Sequence, residues 1–162
     1  NPENPDPDWT RGTLLYQYAD GTFVVADLKS TRDTPGQVER FIRNVASHDG
    51  RGVKIMAQQD PGSAGKAEAE NFVRMLQGYD VHTEALGDDK ETRAKPVSAQ
   101  CEAGNIRVLR GIWNEEFFHE LENFPGGSHD DIVDTLSGSF NTLADGLTMF
   151  DVYDRMARVF NG

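Results

Sequence analysis

The sequence predicts a mixed α/β fold, in which an opening β-hairpin is followed by strands that alternate with helices. Two β-rich runs, 13–19 and 22–28, lie on either side of Asp20-Gly21, which is a strong hairpin signal. A short apolar run at 53–57 is followed by a turn and then by a helical pattern. The 162 residues are enough for one domain with one sizeable core.

The remaining elements follow from periodicity and capping signals. Thr34 is expected to cap a helix that starts at Pro35, with Gln37 completing a capping box, and Asn114 is expected to cap a later helix. The other predicted elements are helices at 64–77, 88–102, 129–143 and 149–160 and strands at 79–85 and 106–109. We therefore expect an extended lead-in at 1–12, a folded domain at 13–145, and a C-terminal helix within 146–162 that packs on it.

The charge balance is acidic, with 16 basic and 27 acidic residues and a net charge of −11. Taken alone, this balance disfavours nucleic-acid binding and favours a small-molecule enzyme or a protein-binding module. Bound divalent ions would soften the objection, because they invert the local sign of charge. No run is long enough to span a membrane. The single cysteine, Cys101, excludes an internal disulfide and suits a reducing cytosol.

Asp60 directly follows the apolar run 53–57 and the two glutamines after it. Open α/β sheets place their chemistry at the carboxyl ends of strands, so Asp60 is a candidate functional acid. The segment QDPGSAGK departs from a nucleotide-binding P-loop, which needs glycine where Asp60 stands and Ser or Thr after Lys66. Gly62 and Gly65 indicate a tight turn, although free N–H groups at the helix start would also suit a DNA phosphate.

A second acidic group lies in the segment HDDIVD, residues 129–134. On a helix Asp130 and Asp134 share a face, and so do Asp131 and Asp134, so the three carboxylates repel one another unless positive charge lies there. Together with Asp60 they predict a metal site, although Asp130 alone is also explained as an ordinary helix-start acid. Hard oxygen ligands suit Mg²⁺ or Mn²⁺. His129 is expected to hydrogen-bond to a metal ligand or simply to lie in the turn.

Two basic residues, Lys90 and Arg93, lie three apart on one predicted helix face. They could neutralise DNA phosphates, as could Lys66, or they could form salt bridges to Asp88 and Glu91. The sequence leaves both alternatives open.

Three segments, QDPGSAGK, GDDKETRA and EAGNIRVLRGIWNEEFFHELENFPGGSHDDIVD, resemble the nuclease domain of tailed-phage large terminases in order and spacing. The resemblance covers about residues 8–143. It implies an RNase H-like mixed sheet flanked by helices. It also implies an endonuclease that cuts concatemeric double-stranded DNA at the start and end of genome packaging, using two divalent cations, Mg²⁺ or Mn²⁺, held by acids.

Carried over by position, Asp60 matches the family's acid at the end of the fourth strand. Asp131, with Asp130 or Asp134 beside it, matches the acid pair of the final helix. The family's first acid lies on a central first strand that precedes the segment matching Asp8. We expect that strand and its acid upstream of Asn1, since Asp6 and Asp8 lie on a proline-rich stretch that makes a poor substitute.

The resemblance also implies partners and a place of action. The partners are double-stranded DNA, a preceding ATPase motor domain, the small terminase subunit and the portal, without a membrane. The place is the procapsid portal in the host cytoplasm, and the protein would be absent from the mature virion. Two alternatives remain: another RNase H-like nuclease, such as a junction resolvase or integrase, or a docking domain with a degenerate site that binds portal or capsid protein.

Overall fold

The computed structural model describes residues 8–85 and 87–145. Five strands and five helices are present in this part of the chain. In chain order they are β1 (Thr10–Gln17), β2 (Phe23–Thr31), α1 (Pro35–Asp49), β3 (Lys54–Gln59), α2 (Ser63–Met75), β4 (Asp80–Ala85), α3 (Lys90–Glu102), β5 (Ile106–Val108), α4 (Asn114–Asn123) and α5 (Asp131–Asp145). Among the described helices, none is long and apolar enough to cross a membrane.

The first sheet has the strand order β1-β2-β5, with β1 antiparallel and β5 parallel to β2. The predicted hairpin between β1 and β2 is confirmed, but its connection spans residues 18–22 instead of two. The Asp20 side chain accepts hydrogen bonds from the Thr22 backbone N–H, at 2.9 Å, and from its hydroxyl. Gly21 has a φ of 87°, a left-handed conformation that favours glycine.

The second sheet contains β3 and β4, which are parallel and connected through α2. Parallel neighbours need such a crossover connection, which is usually a helix. β3 ends at Gln59, two residues later than the predicted strand at 53–57, so Asp60 is the first residue after the strand.

The two sheets are separate, with α5 packed against β1 of one and β3 of the other. On the β1 side, the Thr13 backbone N–H donates to the Thr135 hydroxyl at 3.1 Å. On the β3 side, a Cβ added at Gly138 would lie 2.2 Å from Cε of Met56, so this glycine permits the close approach. The expected mixed α/β architecture is confirmed. Among the described residues, no strand lies between β1 and β3 to join the two sheets.

One hydrophobic core joins the first sheet to α3, α4 and α5. Its buried members are Leu15, Phe23, Val25, Leu28, Val97, Phe117, Ile132, Leu136 and Phe140. The α5 residues recur at intervals of three to four positions, so one stripe of this helix closes the core. The acids at the start of α5 are therefore attached to the most buried helix of the domain.

Some local expectations need correction. The Thr34 hydroxyl bonds to the Gln37 side chain at 2.7 Å, so no capping box to the backbone forms. Asn114 is the first residue of α4 instead of its cap. Its side chain accepts a hydrogen bond from the Gly111 N–H and donates one to the Leu109 carbonyl, so it does not cap the helix. β1 begins at Thr10, within the expected lead-in. The predicted helix at 149–160 lies outside the described residues.

Candidate active site

Asp60 is exposed at the carboxyl end of β3, in the turn that leads into α2. Gly62 has a φ of 97°, which confirms the predicted turn. Gly65 has a different role, because a Cβ there would lie 2.1 Å from the Asp60 carbonyl oxygen. The absence of a side chain at Gly65 lets the first turn of α2 approach the Asp60 backbone and fixes the direction in which the chain leaves β3.

The start of α5 is held by Glu120, a buried acid of α4. Its Oε1 accepts hydrogen bonds from the backbone N–H groups of Ile132, at 2.5 Å, and Val133, at 3.1 Å. These are N–H groups of the first turn, which have no partner within the helix. Burial raises the pKa of Glu120, while the two N–H bonds and Arg11 oppose that shift and the nearby charge of Asp131 adds to it.

Asp130, which directly precedes α5, and Asp134 of α5 are paired with two cations from α3. Lys90 Nζ lies 2.6 Å from Oδ1 of Asp130 and 2.8 Å from Oδ2 of Asp134. Nη2 of Arg93 lies 2.8 Å from the other Asp134 oxygen, Oδ1. The sequence predicted positive charge among these carboxylates and assigned it to metal ions. In this structure side chains supply the positive charge.

Lys90 and Arg93 are held differently. The Lys90 side chain is 45% exposed, and the Arg93 side chain is 15% exposed. Arg93 also donates from Nη1 to the Asp88 carbonyl oxygen, and its own carbonyl accepts from Asn141 of α5 at 3.2 Å. Of the two alternatives that the sequence left open, salt bridges and DNA phosphates, the structure shows salt bridges, but to Asp130 and Asp134 instead of Asp88 and Glu91; Arg93 contacts Asp88 only at its backbone carbonyl.

The pKa of Lys90 is set by opposing effects. Partial burial disfavours the charged ammonium, but hydrogen bonds and attraction from Asp130 and Asp134 outweigh it, so the pKa of Lys90 is raised. The ammonium is therefore charged across the physiological pH range and remains a cation facing two carboxylates.

A side chain of β3 reaches the same cluster. Gln58 Nε2 donates to the Asp134 carbonyl oxygen at 3.1 Å. Since Gln58 lies two residues before Asp60, this bond brings the carboxyl end of β3 towards the first turn of α5. The contact between Met56 and Gly138 supports the same approach one turn further along the helix.

The predicted ligands do not form a preassembled metal cage. Within residues 8–85 and 87–145, no group of three or more His, Cys, Asp or Glu side chains is arranged to hold a metal ion. Asp131 is the first residue of α5 and is half-buried, while Asp60 and His129 are exposed. Metal binding by Asp60, Asp131 and Asp134, and a supporting role for His129, remain predictions.

Lys66, in the first turn of α2, lines a shallow open cavity of about 550 Å³. The cavity is also lined by Gln59, Ala69, Glu70, Val73, Arg74 and Thr83. Two cations, Lys66 and Arg74, therefore lie on the surface next to the end of β3. The sequence singled out Lys66 but not Arg74, which is two helical turns further on.

Comparison with protein families identifies the family of this chain. A family model described as a terminase RNase H-like domain matches residues 2–143. The chain belongs to this family. A comparison with curated proteins found no match. Membership of the terminase RNase H-like family confirms the fold inferred from the resemblance and supports a role as a nuclease or in packaging, with DNA and the packaging complex as general partners.

Glu120, Gln58 and Asn141 position this terminase domain's candidate site but were not singled out in the sequence. Glu120 carries one readable signal, because it lies three residues after Phe117 and so shares its buried helix face. A carboxylate on an apolar face needs hydrogen-bond donors, and here the next helix provides them. Gln58 and Asn141 have no comparable signal, because their partners lie 76 and 48 positions away in sequence.

Proposed function

We propose that this domain is a metal-dependent endonuclease that cuts concatemeric double-stranded viral DNA during genome packaging. The observation that carries the proposal is the approach of the β3 end to the acids of α5 in a chain of the terminase RNase H-like family. Asp60 and Asp131 are the principal acids, with Asp130 and Asp134 beside them.

The donor set suits divalent ions. The cluster already holds a cation, since the Lys90 ammonium lies within 2.8 Å of two carboxylates. Carboxylate oxygens are the ligands preferred by Mg²⁺ and Mn²⁺. Asp60, Asp131 and Asp134 are the residues that would hold two such ions. When bound, the ions supply a hydroxide nucleophile and stabilise the leaving 3′ oxygen.

The chain's own residues orient these groups. Glu120 fixes the first turn of α5 and with it the direction of Asp131. Gly65 fixes the turn that carries Asp60. His129 lies just before the acids and is assigned to hydrogen-bond to one of them. Rigid placement of this kind lowers the cost of assembling the site around DNA.

The gap between β1 and β3 supports a further expectation about the first acid. A strand between them would join the two sheets into one mixed sheet and bring its own carboxyl end beside Asp60. We assign the first acid to such a strand. If that assignment fails, Asp6, Asp8 and Asp27 are the next acids to substitute.

DNA contacts are assigned to Lys66, with Lys90 and Arg93 available if they are released from their carboxylates. Phosphate contacts of this kind hold DNA without reading its sequence. The net charge of −11 implies weak DNA binding by the domain alone. The ATPase domain, the small terminase subunit and the portal would then hold the substrate, at the procapsid portal in the host cytoplasm.

A docking domain that binds portal or capsid protein is the second candidate. It is favoured by the lack of a preassembled metal group among the described residues and by exposed apolar side chains at Leu109, Ile112 and Phe118. A resolvase-like nuclease is less favoured, because such enzymes need a more basic face than this chain offers.

The deciding experiment compares Asp60→Ala and Asp131→Ala with the unchanged protein in Mn²⁺-dependent plasmid nicking. Both variants should lose nicking while their circular dichroism spectra stay the same. Glu68→Ala, an exposed acid of α2, is the matched control and should retain activity. A folded variant with full activity refutes the assignment of that residue. An unchanged protein with neither nicking nor Mn²⁺-dependent stabilisation supports the docking domain.

A further inference from the structure

We propose that Lys90 is a displaceable counter-ion, whose ammonium competes with a divalent cation for Asp134. The inference rests on the proposed metal-dependent function. It starts from the fact that both carboxylate oxygens of Asp134 are already engaged, Oδ2 by Lys90 and Oδ1 by Arg93. A metal ion that takes Asp134 as a ligand therefore competes with these two cations for the same oxygens.

Lys90 is the partner that leaves. It is the first residue of α3, and its side chain is much more exposed than that of Arg93. Among the described residues its ammonium contacts Asp130 and Asp134, whereas Arg93 is also bonded to the Asp88 carbonyl. A flexible, strongly hydrated ammonium returns to water more readily than a guanidinium held at several points.

The negative charge of Asp130 and Asp134 is balanced both without metal, by Lys90, and with metal, by the bound ion. Without metal, Lys90 bridges Asp130 and Asp134, so the helix start can fold despite its like charges. With metal, the ion takes over that compensation and the ammonium becomes available to a DNA phosphate. Exposed ion pairs are weak, so the bridge lowers metal affinity without blocking it.

The test is Mn²⁺ binding measured by calorimetry on the full polypeptide, independent of DNA cleavage. Lys90→Met should bind Mn²⁺ about two- to fivefold more tightly than the unchanged protein, because a weak competing ion pair is removed. Lys95→Met is the matched control, since Lys95 lies on the same helix and its charge acts on Asp89. It should bind Mn²⁺ as the unchanged protein does. Lys90→Arg, which keeps the competing charge, should restore the lower affinity.

A second measurement separates competition from simple loss of stability. Metal-free Lys90→Met should melt at a lower temperature than the unchanged protein and should gain more from added Mn²⁺. Lys90→Gln serves as a second neutral variant and should behave in the same way.

The outcomes distinguish this inference from the proposed function. If the unchanged protein binds Mn²⁺ and Lys90→Met binds it equally or less tightly, the competition is refuted and the metal site stands. If Lys95→Met tightens binding as much as Lys90→Met, the effect is one of overall charge and the competition is again refuted. If no variant binds Mn²⁺, the metal-dependent function fails and this inference fails with it.

Discussion

The two sheets of this domain differ sharply in burial. In the half built on β1, β2 and β5, Val25 of β2 and Ile132 of the packed α5 are 0% exposed and Phe117 is 1% exposed. In the half built on β3 and β4, no strand residue is fully buried. The buried side chains there are those of Ala69 in α2 and of Leu76, the residue directly after α2. The hydrophobic core therefore belongs to the first half.

The comparison shows where the candidate site is vulnerable. Asp131 and Asp134 belong to the helix that closes the core, while Asp60 lies on the half with little buried apolar surface. The halves meet at α5 through Gly138, which contacts Met56, and through the Gln58 bond to the Asp134 carbonyl. The relative position of the acids thus depends on a few contacts.

The largest expected effect tests the difference in burial directly. Phe117→Ala should lower the free energy of unfolding by about 3–5 kcal/mol, because it removes a fully buried ring. Ile55→Ala, on half-buried β3, should cost less than about 2 kcal/mol. Chemical denaturation of both variants measures the difference. Equal losses would show that the β3-β4 half is packed as tightly as the other.

Gly65→Ala should be the most damaging small change on the Asp60 side. The added Cβ would meet the Asp60 carbonyl, a backbone group that cannot simply rotate away, so a loss of about 1–3 kcal/mol is expected. Gly36→Ala is the matched control in the first turn of α1, where nothing lies within 4 Å. It should instead stabilise by about 0.5–1 kcal/mol. Thermal melts that show the same sign for both would contradict this account.

Gly138→Ala tests the contact between α5 and β3, where the two halves meet. The new methyl would meet the flexible end of Met56, so about 1–2 kcal/mol should be lost after some relaxation. Adding Met56→Ala should recover part of that loss, since the clashing atoms are removed. A double-mutant cycle measures the coupling. Purely additive effects would mean that α5 and β3 do not meet at this point.

The smallest effect is a pH dependence located in the core half. Because burial raises the pKa of Glu120, the folded protein holds this proton to higher pH than the unfolded chain, whose value is near 4.5. The stabilising contribution of Glu120 is therefore complete below that value and declines as the pH rises through the folded pKa. Stability measured relative to Glu120→Gln should fall from acid to neutral pH. If this stability difference rises with pH instead, the predicted direction of the pH dependence is wrong.

Sequence patterns predicted the local parts of this structure well. The hairpin, the strand that ends just before Asp60 and the helix that carries the α5 acids are set by short-range periodicity and turn chemistry. The pairing of Lys90 with Asp130 was not predictable in this way, because it joins residues 40 positions apart. It depends on how α3 packs against α5, which no local signal encodes.

The counter-ions show how a correct physical premise led to an incomplete interpretation. Clustered carboxylates do require positive charge, and the sequence analysis identified both the acids and two nearby cations. It assigned the cations to DNA or to acids of their own helix, because helical spacing displays only neighbours within one element. The division into two sheets was missed for a similar reason. The sequence analysis recognised the strands from local patterns, but the pairing between strands depends on contacts between residues far apart in sequence.

The hydrogen bond from Thr13 to Thr135 has a consequence for the solubility of the domain. An unpaired strand edge is a template on which another chain can add, and such edges promote association between molecules. At Thr13 the outward N–H of β1 is already taken by a hydroxyl of the same chain, and the Thr13 hydroxyl is paired with that of Ser139. One helix hydroxyl, that of Thr135, thus takes the place of a neighbouring backbone carbonyl as the acceptor for this N–H. A strand that enters beside β1, whether the strand proposed to carry the first acid or one from a second molecule, has to exchange the Thr135 bond for its own, which disfavours pairing with a second molecule.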